Sequence, residues 1–333
     1  MKDTISIAYG DGGKYTHELI NNVFYKYFDN EILKKDMDSA VLSVINDRNA
    51  AFTTDSFVVK PLFFPGGDIG RLSVCGTAND LSVSGAKPLY MSCSFIIEEG
   101  LKKDILEKIV RSMADECRRI GVKIVTGDTK VVEKGAADEV FINTAGIGVI
   151  ENNYKTKKIE PGDDIIVTGS VGNHGTVIAL ERYNIEVKGN FKSDCAPVYE
   201  VIKTLKNYYP FIKMMKDPTR GGIATILNEI SDKVCLGIRL VEGDIPVDYD
   251  IRGINEMLGL DPLYMACEGR AVIVAKKEVS SEIVNKLRKL DGCKDASIIG
   301  SFVDDTDLVY IENAFGGKRI LSTLDCEMIP RIC

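Results

Sequence analysis

Histidine is scarce in this chain. Its 333 residues hold only His17 and His174, which excludes a histidine-rich metal centre and leaves a Cys-His-Asp nucleophile assembly little to draw on. None of the nine cysteines stands in C-x-x-C spacing, so neither a zinc ribbon nor a thioredoxin-like motif is present. No apolar run approaches the roughly 18 residues that a membrane helix needs. The polar turn Tyr9-Gly10-Asp11-Gly12-Gly13 interrupts the start before a secretory core builds up. Cationic excess is absent too: a formal net charge of -7 argues against a general binder of nucleic acid or acidic membrane. The common nucleotide signatures are also missing. Gly12-Gly13-Lys14 runs into Tyr15 and is no P-loop, and Gly169–Gly175 lacks dinucleotide spacing. A soluble, cytoplasmic chain is the expectation.

What is present fits a globular protein: 45% hydrophobic and 27% charged residues, in a chain long enough for two cores. Helical spacing of Leu19, Ile20, Val23, Phe24 and Tyr27 predicts a helix over 14–28. A hairpin follows at 41–45 and 50–59, then a helix over 69–84, a strand over 90–98 and a helix over 102–120. Further strands are expected at 122–125 and 140–150. Pro161-Gly162-Asp163 marks a turn after a polar stretch, which sets the expected domains at 1–152 and 153–317, with a flexible tail over 318–333. In the second domain strands are expected at 164–168, 235–241, 271–276, 296–303 and 307–312. Helices are expected near 174–184, 195–207, 221–231 and 278–290. Irregular alternation of these elements points to an α+β fold with mixed β-sheets. Cys75, Cys93, Cys117, Cys195 and Cys235 sit among apolar neighbours and read as small buried hydrophobes.

Several residues carry chemistry. Glycines in Gly10-Asp11-Gly12-Gly13 let backbone N–H groups face an anion at a helix start, although a plain turn explains the same residues. Asp55, Asp80 and Asp128 are carboxylates in or beside apolar segments. Each must be solvated, paired or metal-bound; singly each reads as a cap or turn residue, and together they suit Mg²⁺ and ATP. Lys130 either neutralises phosphate or pairs with Asp128. Glu268, between short apolar segments, is a general-base candidate or half of an ion pair. Asp217-Pro218-Thr219-Arg220-Gly221-Gly222 offers either a helix cap or an Arg220 phosphate clamp. Cys333 is the last residue, and the 16 residues after Gly317 reach roughly 20–25 Å as a flexible coil. Such an arm suits a thiol that enters a site and presents a load elsewhere; an incidental cysteine is the bland alternative.

Taken in order, Gly10-Asp11-Gly12-Gly13, Phe52-Thr53-Thr54-Asp55-Ser56, Pro61-Leu62-Phe63-Phe64-Pro65-Gly66-Gly67, Cys75-Gly76-Thr77-Ala78-Asn79-Asp80, Val125-Thr126-Gly127-Asp128-Thr129-Lys130, Asp217-Pro218-Thr219-Arg220-Gly221-Gly222 and Pro330-Arg331-Ile332-Cys333 resemble the HypE carbamoyl dehydratase family of nickel–iron hydrogenase maturation. The resemblance spans essentially the whole chain; one departure is Tyr9, where the family usually has His. It implies the two-domain fold of the aminoimidazole ribonucleotide synthetase and selenophosphate synthetase superfamily, a homodimer formed through the N-terminal domains, and ATP binding there. It further implies that a HypF-type carbamoyltransferase loads Cys333, that MgATP drives dehydration of the thiocarboxamide to a thiocyanate, and that cyanide passes to a HypC–HypD-type iron scaffold. By the same resemblance Asp55, Asp80 and Asp128 serve Mg²⁺ and phosphates. Gly10, Asp11, Gly12, Gly13, Asn79, Asp217 and Arg220 contact the nucleotide, and Lys130 and Glu268 handle protons.

Overall fold

The computed structural model describes residues 14, 17, 40–44, 48–189, 191–325, 328–329 and 331–333. The glycine loop at 10–13, Tyr9 and most of the predicted first helix lie outside them. The first domain is a five-stranded sheet ordered β1-β2-β7-β5-β6. Its hairpin pairs β1 (Ala40–Val44) with β2 (Arg48–Phe57). A short hairpin, β3 (Phe63–Phe64) and β4 (Gly67–Asp68), leads into α1 (Ile69–Val83). Asp68 caps that helix by accepting from the N–H groups of Gly70 and Arg71. α1 is buried on nearly every side because it lies between its own sheet and the second domain. β5 (Ala86–Glu98), α2 (Lys103–Ile120), β6 (Lys123–Val132) and β7 (Val140–Ile150) complete the layer. Along β2, Ala51, Thr53 and Phe57 are buried and Phe52 exposed, the alternation of a sheet with one face on a core.

The second domain carries a seven-stranded mixed sheet ordered β14-β13-β10-β12-β8-β11-β9. In chain order its elements are β8 (Asp164–Val167), α3 (Asn173–Tyr183), α4 (Tyr199–Lys203), β9 (Ile212–Lys216), α5 (Gly222–Val234), β10 (Gly237–Val241) and α6 (Tyr249–Leu258). They continue with β11 (Val272–Ala275), α7 (Lys277–Leu287), β12 (Ser297–Val303), β13 (Val309–Glu312) and β14 (Lys318–Ile320). β8 and β11 are buried throughout, so they read as unbroken apolar runs. Among the described residues no helix is long and apolar enough to cross a membrane.

Four expectations change. The helix predicted over 195–207 shrinks to Tyr199–Lys203, because Pro197 disfavours helical geometry in the residue before it and the chain from 191 to 198 runs along the domain seam. β6 extends to Val132, so Asp128 and Lys130 lie within a strand rather than after one. The tail does not begin at 318: Lys318–Ile320 pairs with β13 as the sheet edge. Cys235 is exposed, in left-handed geometry (φ 55°) at the end of α5, unlike the other four cysteines grouped with it. Periodicity also gave no sign of β9 or α6.

One core cluster crosses the seam, joining Phe57 and Cys75 of the first domain to Val177, Ile178 and Ala266 of the second. Asn79, on α1, fixes the alignment. Its Nδ2 donates to the carbonyls of Ala196 (3.1 Å) and Glu268 (3.2 Å), and its Oδ1 accepts from Val198 N–H at 2.8 Å. Asn79→Ala leaves the Val198 N–H and the Ala196 carbonyl without this partner, while the Glu268 carbonyl keeps Ala196 N–H at 3.3 Å, so a loss of about 2 kcal/mol in folding stability is expected, read as a shift in urea midpoint at unchanged slope.

Candidate active site at the domain seam

The seam gathers carboxylates from both domains. Asp55 lies on the inner face of β2 beside Gly76 of α1, where an added methyl would stand 3.6 Å from its Oδ2, an ordinary contact, but only 2.8 Å from the Phe57 ring. Asp80, one turn further along α1, accepts from Thr53 Oγ1 at 2.7 Å. Across the seam, Glu268 is 2% exposed and its Oε1 has no hydrogen-bond partner. Asp217, Asp194 and Asp55 all act electrostatically on Glu268, and Arg220 opposes them from the exposed start of α5.

Burial dominates the acidity of these groups. It pushes Glu268 well above the ordinary carboxylate range, with Asp217, Asp194 and Asp55 adding to the effect and Arg220 opposing it. Burial likewise raises Asp55, against Arg220 and a hydrogen bond from Ser56 N–H of 2.7 Å. A buried carboxyl of raised proton affinity, with an unbonded oxygen at a seam, suits acid–base work on a bound group. Asp194 locates it: Oδ1 accepts from Glu268 N–H (3.3 Å) and Oδ2 from Gly269 N–H (3.2 Å).

The end of the chain enters the same seam. Cys333 is 8% exposed and belongs to the cluster that joins the domains. Its backbone oxygen accepts from Val58 N–H at 3.0 Å, three residues beyond Asp55. Arg331 reaches Val58 O (3.0 Å) and Asp138 Oδ2 (2.6 Å), and Lys60 bonds that same Asp138 oxygen at 2.7 Å. The two cations hold the Asp138 carboxyl below its usual range. A tail predicted to be mobile is therefore docked at 331–333.

Comparison with known proteins places this architecture. Residues 36–150 match the model of the AIR synthase related protein N-terminal domain, and residues 160–312 that of the C-terminal domain. Carbamoyl dehydratase HypE of Escherichia coli (strain K12) is 42% identical over 337 residues, covering 99% of this chain and 100% of that protein. The chain belongs to the HypE carbamoyl dehydratase family. Two solved HypE structures agree in shape, each 42% identical. One is in complex with ATP (TM-score 0.82; 99% of this chain and 100% of that one), the other in a HypE–HypF complex (TM-score 0.87; 92% and 99%).

Within this HypE-family fold the sequence-predicted residues divide. Asp55, Asp80, Asp217, Arg220, Glu268 and Cys333 converge on the seam. Asn79 is there too, but both ends of its amide are engaged by main chain, which makes it a domain staple rather than a nucleotide contact. Asp128 and Lys130 stand apart, on exposed β6, 2.7 Å from each other. Asp55 pairs with Thr144, Thr144 with Cys93 and Cys93 with Gly127. Asp128 is thus three strands from Asp55, about 14 Å at ordinary strand spacing. One chain cannot close a three-aspartate magnesium site, and among the described residues no group of three metal-ligating side chains is assembled. For the same reason Lys130 does not meet Glu268 within one chain. His174, Arg182, Ser193, Asp194 and Asp138 were missed; only their clustering in space singles them out.

Below about pH 4.5, the ordinary value, folded and unfolded chains both hold the Glu268 proton; above it only the folded chain keeps it. Folding therefore loses stability from this group as pH rises towards the folded value. Glu268→Gln, which has no proton to shed, is expected to flatten the decline of the melting temperature on the alkaline side, measured by scanning calorimetry from pH 5 to 9.

Proposed function

We propose that this chain dehydrates a carbamoyl group carried on its own Cys333, using ATP, and so supplies cyanide for the iron of a nickel–iron hydrogenase. One observation carries the reading: Cys333 is bound by Val58 N–H, three residues beyond Asp55, and shares a core cluster with Ala266, two residues before Glu268, whose buried carboxyl has an unbonded oxygen. The identity to carbamoyl dehydratases and the solved HypE complex with ATP support it. In the reaction the thiocarboxamide oxygen of Cys333 attacks the γ-phosphorus and ADP leaves. Two N–H protons are then lost and phosphate departs from carbon, leaving S–C≡N. Glu268, in its carboxylate form, would accept one of those protons, and Arg220 would pair with phosphate at the mouth. The glycine loop at 10–13 is the remaining phosphate-contact candidate.

Oxygen donors suit magnesium, and a buried carboxylate with little compensating charge favours a cation. Asp55 and Asp80 would hold Mg²⁺, which when bound neutralises phosphate charge. Asp128 and Lys130 would join the site from a second copy. A homodimer is supported by the exposed apolar row Phe52, Ile147 and Tyr90, which are register partners on the outer face of the first sheet. The edge strand β6, exposed almost throughout, supports it as well. A HypF-type carbamoyltransferase as loading partner is supported by the solved HypE–HypF complex. A HypC–HypD-type scaffold as acceptor and a cytoplasmic site of action follow from the same reading.

Two measurements test this. After incubation with the carbamoyl donor, the terminal peptide is expected to gain one carbamoyl group and to lose water once MgATP is added. Cys333→Ala abolishes both with MgATP affinity nearly intact, and an adduct on Cys326 or Cys267 defeats the assignment. Light scattering is expected to give a dimer for the native chain and a monomer for Ile147→Arg, with a dimeric variant counting against the sheet-face interface.

A further inference from the structure

His174 has no part in the chemistry above, yet it is fully buried at the start of α3 beside the docked tail. Its ring stands edge-on to Phe64, centroids 5.3 Å apart. Nε2 lies 2.7 Å from the carbonyl oxygen of Ile332, and Nδ1 lies 2.8 Å from Ser193 Oγ. Burial lowers the pKa of the ring and keeps it neutral. A carbonyl only accepts, so Nε2 carries the proton and Nδ1 takes the hydroxyl proton of Ser193. Ser193 Oγ in turn accepts from Cys195 N–H at 3.0 Å. The tautomer is thereby set by its surroundings.

Arg182, just over two turns along the same helix, donates to the Arg331 carbonyl (2.6 Å) and to the Lys60 carbonyl (2.9 Å). With Val58 N–H on the oxygen of Cys333, three successive main-chain oxygens each have a dedicated donor. The Ile332 side chain packs on Gly175, where an added methyl would come within 3.1 Å of its Cδ1. Arg331 adopts left-handed geometry (φ 54°), uncommon for a side-chain-bearing residue, and the clamps on either side hold it there. Asp194 ties this seat to the acid: the oxygen that accepts from Glu268 N–H also accepts from His174 N–H at 3.1 Å.

We propose that His174, seconded by Arg182, is a positioning residue that seats the Cys333 arm by its main chain, at a spacing from Glu268 set by Asp194. Recognition through main-chain oxygens does not depend on what the sulfur carries, and it is reversible because each contact is a single hydrogen bond. The catalytic meaning of the seat rests on Cys333 being the carrier; the seat itself does not.

The test follows alkylation of Cys333 by iodoacetamide in the full chain before carbamoyl loading, read on the terminal peptide by mass spectrometry. His174→Ala is expected to speed it about tenfold, the factor that one hydrogen bond of ordinary strength carries. His174→Gln, whose amide N–H reaches the Nε2 position, is expected to restore a near-native rate. Arg182→Ala, made at a half-buried position outside the core, is expected to speed alkylation similarly. Native rates in both alanine variants overturn the proposal. On carbamoyl-loaded chains, single-turnover dehydration is expected to fall in the same order while MgATP affinity holds; a matching loss of that affinity overturns a positioning role. Should the native chain itself fail to dehydrate, the function proposed above falls while the alkylation order still judges the seat.

Discussion

The amide of Asn79 holds the two domains in register, and the site exists only where they meet. That side chain gives both of its donors and one acceptance to the 196–198 segment and the Glu268 carbonyl. The residue carrying the buried acid is thereby fixed to the helix that also carries Asp80. Neither domain alone brings Asp55 and Glu268 together. A polar side chain buried this deeply persists only when all its partners are in place, so the alignment of the domains is all-or-none rather than graded.

Removing water from the seam gives the carboxyls their character. Glu268 and Asp55 are raised chiefly by burial, and Arg220, the opposing cation, stands at the exposed mouth. A carboxyl in that condition holds its proton more tightly than a solvated one. The exposed pair Asp128 and Lys130 behaves oppositely: the Lys130 hydrogen bond lowers Asp128, the ordinary response of a solvated carboxylate to a cation. One sequence thus holds two acidic environments, separated by the width of three strands.

Tethering a reactant to the protein replaces diffusion by a short search, because a flexible arm raises effective concentration without adding contacts. The arm then has to stop in one place. Contacts to consecutive backbone oxygens meet that need, with Arg331 and Asp138 adding a charged anchor on the first domain.

How much of this was legible beforehand differs by level. The hydrophobic periods located β2, α1, α2 and β7 and the α+β class, because each buries one defined face or lies wholly within a core. Motif residues Asp55, Asp80, Asp217, Arg220, Glu268 and Cys333 were marked as chemically capable by residue type and local apolar context alone. Local spacing carried no information about His174, Ser193 and Asp194, whose roles arise from contacts with residues such as Ile332 and Glu268, 158 and 74 positions away. Nor did it reveal that Asn79 binds main chain, or that β6 carries Asp128 and Lys130 away from the seam. By itself the sequence determined which groups are able to react; packing of two sheets against one helix decided which of them meet, since that depends on distances between strands rather than along the chain.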